Sequence, residues 1–120
     1  MVDWSKYKIR FTKTAKRDLG ELCKKLGKRH FKQVWDAIQD LESEPESKTH
    51  ELAKPLEGLR SLHVSRSRVI VKIANECITV YVIAAGWHES GARSDVYQEL
   101  HRRVESGAIN LDEFVDEEDE

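Results

Sequence analysis

The chain predicts a single-domain α+β fold. Three observations carry this reading. Tyr7, Ile9 and Phe11 alternate with Lys8, Arg10 and Thr12; two helical apolar stripes follow back to back; and a dense alternating run from 62 to 85 precedes a last helical pattern. Strands before and after helices, with no βαβ alternation, favour helices packed on one face of an antiparallel sheet.

Each element has a local reason. Period two over 7–12 predicts a short strand with one wet face. Thr12 or Thr14 supplies a side-chain oxygen to cap a helix carrying Ala15, Leu19, Leu22 and Leu26 at helical spacing, and Gly27 stops it. Phe31, Val34, Ile38 and Leu41 step by 3, 4 and 3, so a second helix follows at once and forms an antiparallel hairpin with the first. Residues 43–54 are a polar link without a clear period. Leu62 and Val64, then Val69, Val71 and Ile73, then Ile78 to Ala85 predict a three-stranded antiparallel meander, with turns at Ser65-Arg-Ser67 and Asn75-Glu76. Gly86 is expected to end the sheet and 87–93 to form a loop. Ser94 or Asp95 starts a C-terminal helix with Val96, Leu100 and Val104 on one side.

Charge divides the chain into a body, 1–106, and an acidic tail, 107–120. The formal net charge is −2, yet residues 105–120 hold eight acids and no Lys or Arg. The rest carries 20 basic against 14 acidic residues, a net +6. A basic body suits a polyanionic or acidic partner. Ile109, Leu111, Phe114 and Val115 give the tail one apolar side, which suggests that it folds back on the basic body or pairs with a neighbouring chain. Cys23 and Cys77 lack metal spacing and read as buried, reduced packing residues. The polar start is no signal peptide, and no apolar run approaches the roughly 20 residues of a membrane span. A cytoplasmic setting is expected. There is no Gly-rich phosphate loop, Cys/His metal motif or serine elbow, so neither cofactor nor metal is expected.

The chemistry gathers between Leu59 and Tyr97. His63, Arg66, Arg68, Trp87, His88, Arg93 and Tyr97 are delivered from strand ends, a loop and a helix start. RNA is cleaved without metal when its 2′-hydroxyl attacks the adjacent phosphorus. That needs a proton acceptor, a cation for the phosphate and a proton donor for the leaving oxygen. Arg68, on the face opposite Val69 and Val71, has the planar donor fork for two phosphate oxygens. His63 alternates out of the core and titrates near neutrality. His88 and Arg93 lie in the loop after the last strand, and Tyr97 offers a phenol. Lys54, Arg66 and Trp87 suit RNA contact, Trp87 by stacking on a base. For most of these the plain alternative is a solvated surface residue.

Four segments resemble the RelE/ParE toxin superfamily, in order and at compatible spacing. They are Lys54-Pro-Leu-Glu-Gly-Leu59, Leu62-His-Val-Ser-Arg-Ser-Arg-Val-Ile70, Ile78-Thr-Val-Tyr-Val-Ile83 running on to Gly86, and Arg93-Ser-Asp-Val-Tyr97. The resemblance covers residues 7–105. It implies the toxin of a type II toxin–antitoxin system. In the RelE-like branch this is an endoribonuclease that cuts mRNA, typically at the ribosome, and inhibits translation. It also implies an antitoxin partner and an oligomer with it. Arg68 and Tyr97 fall on the family's Arg and Tyr, and the resemblance gives His88 or Arg93 the acid–base role that some RelE relatives assign to a His after this glycine. His63 stands where many relatives carry Lys or Arg, a departure that alters the acid–base chemistry. The ParE-like branch instead inhibits DNA gyrase and lacks the catalytic set. A non-catalytic RNA-binding domain is the third alternative.

Overall fold

The structure, a computed structural model, describes residues 6–89 and 95–109. The elements in chain order are β1 (Lys8–Phe11), α1 (Lys13–Leu26), α2 (Lys28–Gln39), β2 (His50–Glu51), β3 (Arg60–Val64), β4 (Ser67–Ala74), β5 (Thr79–Trp87) and α3 (Val96–Glu105). The predicted order of strand, helical hairpin, meander and helix is the observed one. The strands form one five-stranded sheet in the order β1-β5-β4-β3-β2.

Three features of the sheet and its layers differ from expectation. The sheet is mixed, because β1 runs parallel to β5, pairing Lys8 to Thr79 through Phe11 to Val82. The polar link contains a two-residue edge strand, β2, that pairs His50 with Ser61 and Glu51 with Arg60. So short a strand has no room to display a period. Lastly, the helices are not all on one sheet face. Leu62, Val69, Val71, Val80 and Val82 pack with Ala15, Leu19, Leu22, Val34 and Ile38 of the helical hairpin. Ile70 and Ile83 pack with Val96 and Leu100 of α3 and with Leu56 and Leu59. Side chains alternate across a strand, so these are opposite faces.

The helical hairpin forms for the expected reasons. Thr12 caps α1 by accepting from the Ala15 N–H at 3.1 Å. Gly27, at φ 85°, closes α1 with its N–H on the Cys23 carbonyl and opens α2 directly. A positive φ is costly for any residue with a Cβ. Phe11 stacks on Trp35 with ring centroids 5.4 Å apart, and Trp35 keeps 41% of its surface exposed. Neither cysteine is a buried core residue: Cys23 is half-buried and Cys77 is exposed in the β4–β5 turn. That turn is a short 3₁₀ segment, Asn75–Cys77, in which the Cys77 thiol donates to the Ala74 carbonyl at 3.8 Å.

Between Ile70 and Val71 the β4–β5 register slips, with Ile70 opposite Ala84 and Val71 opposite Val82. Ile83 is the extra residue of a bulge. Successive residues Ile83 and Ala84 therefore both reach the α3 side. Thr12 anchors the bulge through its hydroxyl, which donates to the Ile83 carbonyl at 3.3 Å.

β1 ends at Phe11, leaving the later half of β5 without a neighbour on that side. Asp18 of α1 fills the gap. Its carboxylate accepts the Ala85 N–H at 3.2 Å. It also receives two bonds from the Arg103 guanidinium of α3, at 2.8 and 3.0 Å. The pair is largely buried, with side-chain exposures of 15% and 9%. One carboxylate thus ties α1, the strand edge and α3 together.

β5 does not stop at Gly86. The strand continues to Trp87, and Gly86 pairs with Arg68. The glycine is there for α3: a Cβ would lie 3.1 Å from both Cβ and Cγ2 of Val96. Among the described residues no helix is long and apolar enough to cross a membrane. Ile109 still packs against the α3 cluster, while residues 110–120, most of the acidic tail, lie outside the described residues. Gly86→Ala is expected to cost about 1 kcal/mol or more by forcing Val96 outward. Urea denaturation checks this, and an unchanged midpoint would mean that α3 does not press on β5.

Candidate active site

The site lies on the α3 face, where β3, β4, the end of β5 and the first turn of α3 meet. Antiparallel pairing sets His63 of β3 opposite Arg68 of β4. Because Leu62 and Val64 point to the helical hairpin, Ser61 and His63 point to α3. From α3, the Tyr97 hydroxyl reaches Ser61 Oγ at 2.8 Å and His63 Nε2 at 3.4 Å. The His88 ring, just past β5, meets Tyr97 edge-on with centroids 5.1 Å apart. The His50 ring, from β2, lies 4.9 Å from that of His63. Three imidazoles and a phenol therefore converge.

The start of α3 is built by Asp95, which is only 3% exposed. Its carboxylate accepts from the N–H groups of Tyr97 at 2.9 Å and Gln98 at 3.4 Å, a helix cap. It also accepts the Glu89 N–H at 2.6 Å and lies 2.6 Å from His88 Nδ1. Burial works against its charge. Bonds from Glu89, His88 and Tyr97 outweigh burial and hold its carboxyl below the usual carboxylate range.

Arg68 is the least relaxed member. Its Nη1 donates to the carbonyls of Ser65 and Ser67 at 2.8 and 3.0 Å, bracing the β3–β4 turn. Its Nε is buried without a hydrogen-bond partner. His63 has its proton affinity lowered, first by burial and then by the charges of Arg68, His50 and His88. It is therefore mainly neutral at pH 7, unlike a Lys or Arg in its place.

The other expected site residues divide. Trp87 is the last residue of β5, not a loop residue, and it belongs to the opposite face. With Lys25, His30 and Gln33 it lines a hollow of about 250 Å³ at the end of the helical hairpin. Lys25 Nζ and Arg66 Cζ lie 5.0 and 5.1 Å from its ring centroid. Arg66 bridges the two sides, since its Nη2 also reaches the His88 carbonyl at 3.5 Å. Lys54 is exposed in the turn before Leu56. No hydrogen bond or ion pair among the described residues links it to the cluster. Arg93 lies outside the described residues.

Sequence reasoning missed Ser61, His50 and the second role of Asp95. Ser61 carried a usable signal, being two residues from His63 on the same strand face. His50 carried none, because its strand is two residues long. Asp95 read only as a helix start. Among the described residues no group of three His, Cys, Asp or Glu side chains is placed to hold a metal ion.

Comparison with known proteins bears on this arrangement. Residues 9–91 match the family model described as ParE toxin of type II toxin-antitoxin system, parDE. No curated protein matches. The toxin–antitoxin complex RelBE2 from Mycobacterium tuberculosis contains a chain 30% identical, with 72% of this chain and 95% of that chain covered and a TM-score of 0.62. An arginine double mutant of E. coli RelE in the free state is 22% identical over 82% of this chain and 98% of that chain, with a TM-score of 0.57. The chromosomal ParDE system of P. aeruginosa contains a chain of the same fold, 11% identical, with 72% of this chain and 100% of that chain covered and a TM-score of 0.56. The family match spans most of the body, and the chain belongs to the RelE/ParE superfamily of type II toxin–antitoxin toxins.

Proposed function

We propose that this toxin is an endoribonuclease that cuts mRNA at the ribosome by 2′-hydroxyl attack and so inhibits translation. The observation that supports it most is the convergence of His63, Tyr97 and His88 beside Arg68 on one sheet face. A binding inhibitor has no need to gather proton-carrying groups around a phenol.

The reaction assigns each group a task. Neutral His63 takes the proton of the 2′-hydroxyl. O2′ then bonds to phosphorus as the bond from phosphorus to O5′ breaks. Tyr97, or His88 in its doubly protonated form, delivers a proton to O5′, leaving a 2′,3′-cyclic phosphate and a 5′-hydroxyl. Arg68 offers its fork to the phosphate oxygens as charge builds there. Lys54, Arg66 and the Trp87 hollow extend contacts along the RNA, holding its position without reading its sequence. The natural partner is a cognate antitoxin, bound in a joint oligomer.

The family match to ParE supports a second reading, inhibition of DNA gyrase without nuclease activity. One experiment separates the two. Programmed ribosomes are treated with the toxin, and gyrase supercoiling is assayed in parallel. Cleaved mRNA with gyrase unaffected is expected, with Arg68→Ala slower by about 100-fold or more. Tyr97→Phe, which keeps the ring packing, is expected to slow cleavage by about 10-fold or more. Intact mRNA with inhibited gyrase selects the second reading.

The His63 assignment has its own check. Its folded proton affinity is lowered relative to the free side chain at about 6.5. Between those two values the unfolded chain holds more protons, so this group's stabilisation is present above 6.5 and lost as pH falls through the folded value. An NMR titration should place the His63 midpoint below 6.5 and move it upward in Arg68→Ala. A midpoint at or above 6.5 in the unsubstituted chain would mean that burial and the Arg68 charge do not lower its proton affinity.

A further inference from the structure

We propose that Asp95 is a positioning residue that keeps a proton on Nδ1 of His88 and thereby leaves Nε2 as the ring nitrogen that takes up and releases protons at the site. Its catalytic consequence rests on the ribonuclease reading. Its hold on the ring does not.

The geometry gives one direction to this hydrogen bond. His88 Nδ1 and Asp95 Oδ1 are 2.6 Å apart. An ionised carboxylate only accepts, so the proton between them belongs to the imidazole. The carboxylate is kept ionised by its other donors. Glu89 N–H shares Oδ1 at 2.6 Å, and Tyr97 N–H and Gln98 N–H hold Oδ2 at 2.9 and 3.4 Å. It also sits at the start of α3, where the peptide dipoles favour negative charge. Four donors from two segments leave the carboxylate no alternative orientation.

The ring is held as firmly as the acid. The backbone N–H of His88 donates to the Arg66 carbonyl at 2.8 Å, fixing the residue beside the β3–β4 turn, and the ring's edge contact with Tyr97 sets its tilt. The side chain keeps 33% exposure while that of Asp95 keeps 4%. The buried end of the pair is thus the acid and the accessible end is the imidazole, as a supported acid–base group requires. Among the described residues, the charged and titratable groups around the ring are Asp95 and Tyr97 from the start of α3, His63 from β3, Arg66 from the β3–β4 turn and the neighbouring Glu89.

A helix cap alone does not call for this arrangement. Ser or Asn caps as well as Asp. Only a carboxylate both caps and compels the imidazole to donate. Asp95 therefore couples the folding of α3, and with it the placement of Tyr97, to the tautomer of His88.

Asp95→Asn separates the two duties in the full-length chain. The amide oxygen still caps α3, while its NH₂ turns toward Nδ1 and makes that nitrogen accept. Imidazole ¹⁵N NMR should show His88 with the proton on Nδ1 in the unsubstituted chain and on Nε2 in the variant. With a model mRNA on ribosomes, kcat should fall about 100-fold and KM should change less than about twofold, while the melting temperature falls modestly because the Glu89 N–H loses its acceptor. Asp95→Ser, which also caps but cannot reach the ring, should show the same loss. In a His88→Gln background Asp95→Asn should add no further loss. An Nε2–H tautomer in the unsubstituted chain overturns the proposal, as does full cleavage by Asp95→Asn or additive losses in the double variant. Nδ1–H at His88 in a chain that never cuts RNA would support the positioning and sink the ribonuclease reading instead.

Discussion

The Asp18 carboxylate is the point on which this architecture closes. β1 is too short to cover β5, and an uncovered strand edge leaves its N–H groups unpaired. Asp18 takes one of them, at Ala85, and balances its own charge with Arg103. A buried charge left alone would be strongly destabilising, by about 3–5 kcal/mol when one partner of such a pair is lost. The pair is therefore less a source of stability than a condition on geometry. It requires α3 to lie along the β5 edge with its last turn beside α1.

The position of the site follows from that condition. With its last turn held at Arg103, the first turn of α3 falls over the end of β5, where Gly86 leaves room for Val96. Asp95 is then carried to the end of β5, against His88, and Tyr97 to β3, against Ser61 and His63. The helical hairpin takes all of the opposite face and needs Leu62, Val69, Val71, Val80 and Val82 there. Alternation leaves Ser61, His63 and Arg68 on the face that α3 covers only in part. A strand that is apolar on one side and carries chemistry on the other needs this division of labour between the two helical layers.

Much of this was legible because period two survives translation into structure. Leu62 and Val64 fixed where His63 points, and Val69 and Val71 did the same for Arg68. Tyr97 and His88 followed from their place beside a helix start and a strand end. What was not legible depends on pairing between distant segments. His50 enters through a two-residue strand with no pattern of its own. The bulge at Ile83 and the parallel register of β1 are set by partners, not by local sequence. Trp87 was read as the first loop residue, but β5 runs one step further and alternation turns its ring to the helical hairpin. Asp95 was visible as a cap and silent about His88, because the contact is made only once β5 and α3 are packed together.

The most direct measurement uses an mRNA carrying a single 2′-deoxynucleotide on the 5′ side of the scissile phosphate, presented on the ribosome. Attack by the 2′-hydroxyl predicts that cleavage stops at that site alone, while the unmodified RNA yields a 2′,3′-cyclic phosphate and a 5′-hydroxyl. Continued cleavage at the deoxy site, or a 5′-phosphate end, would contradict it.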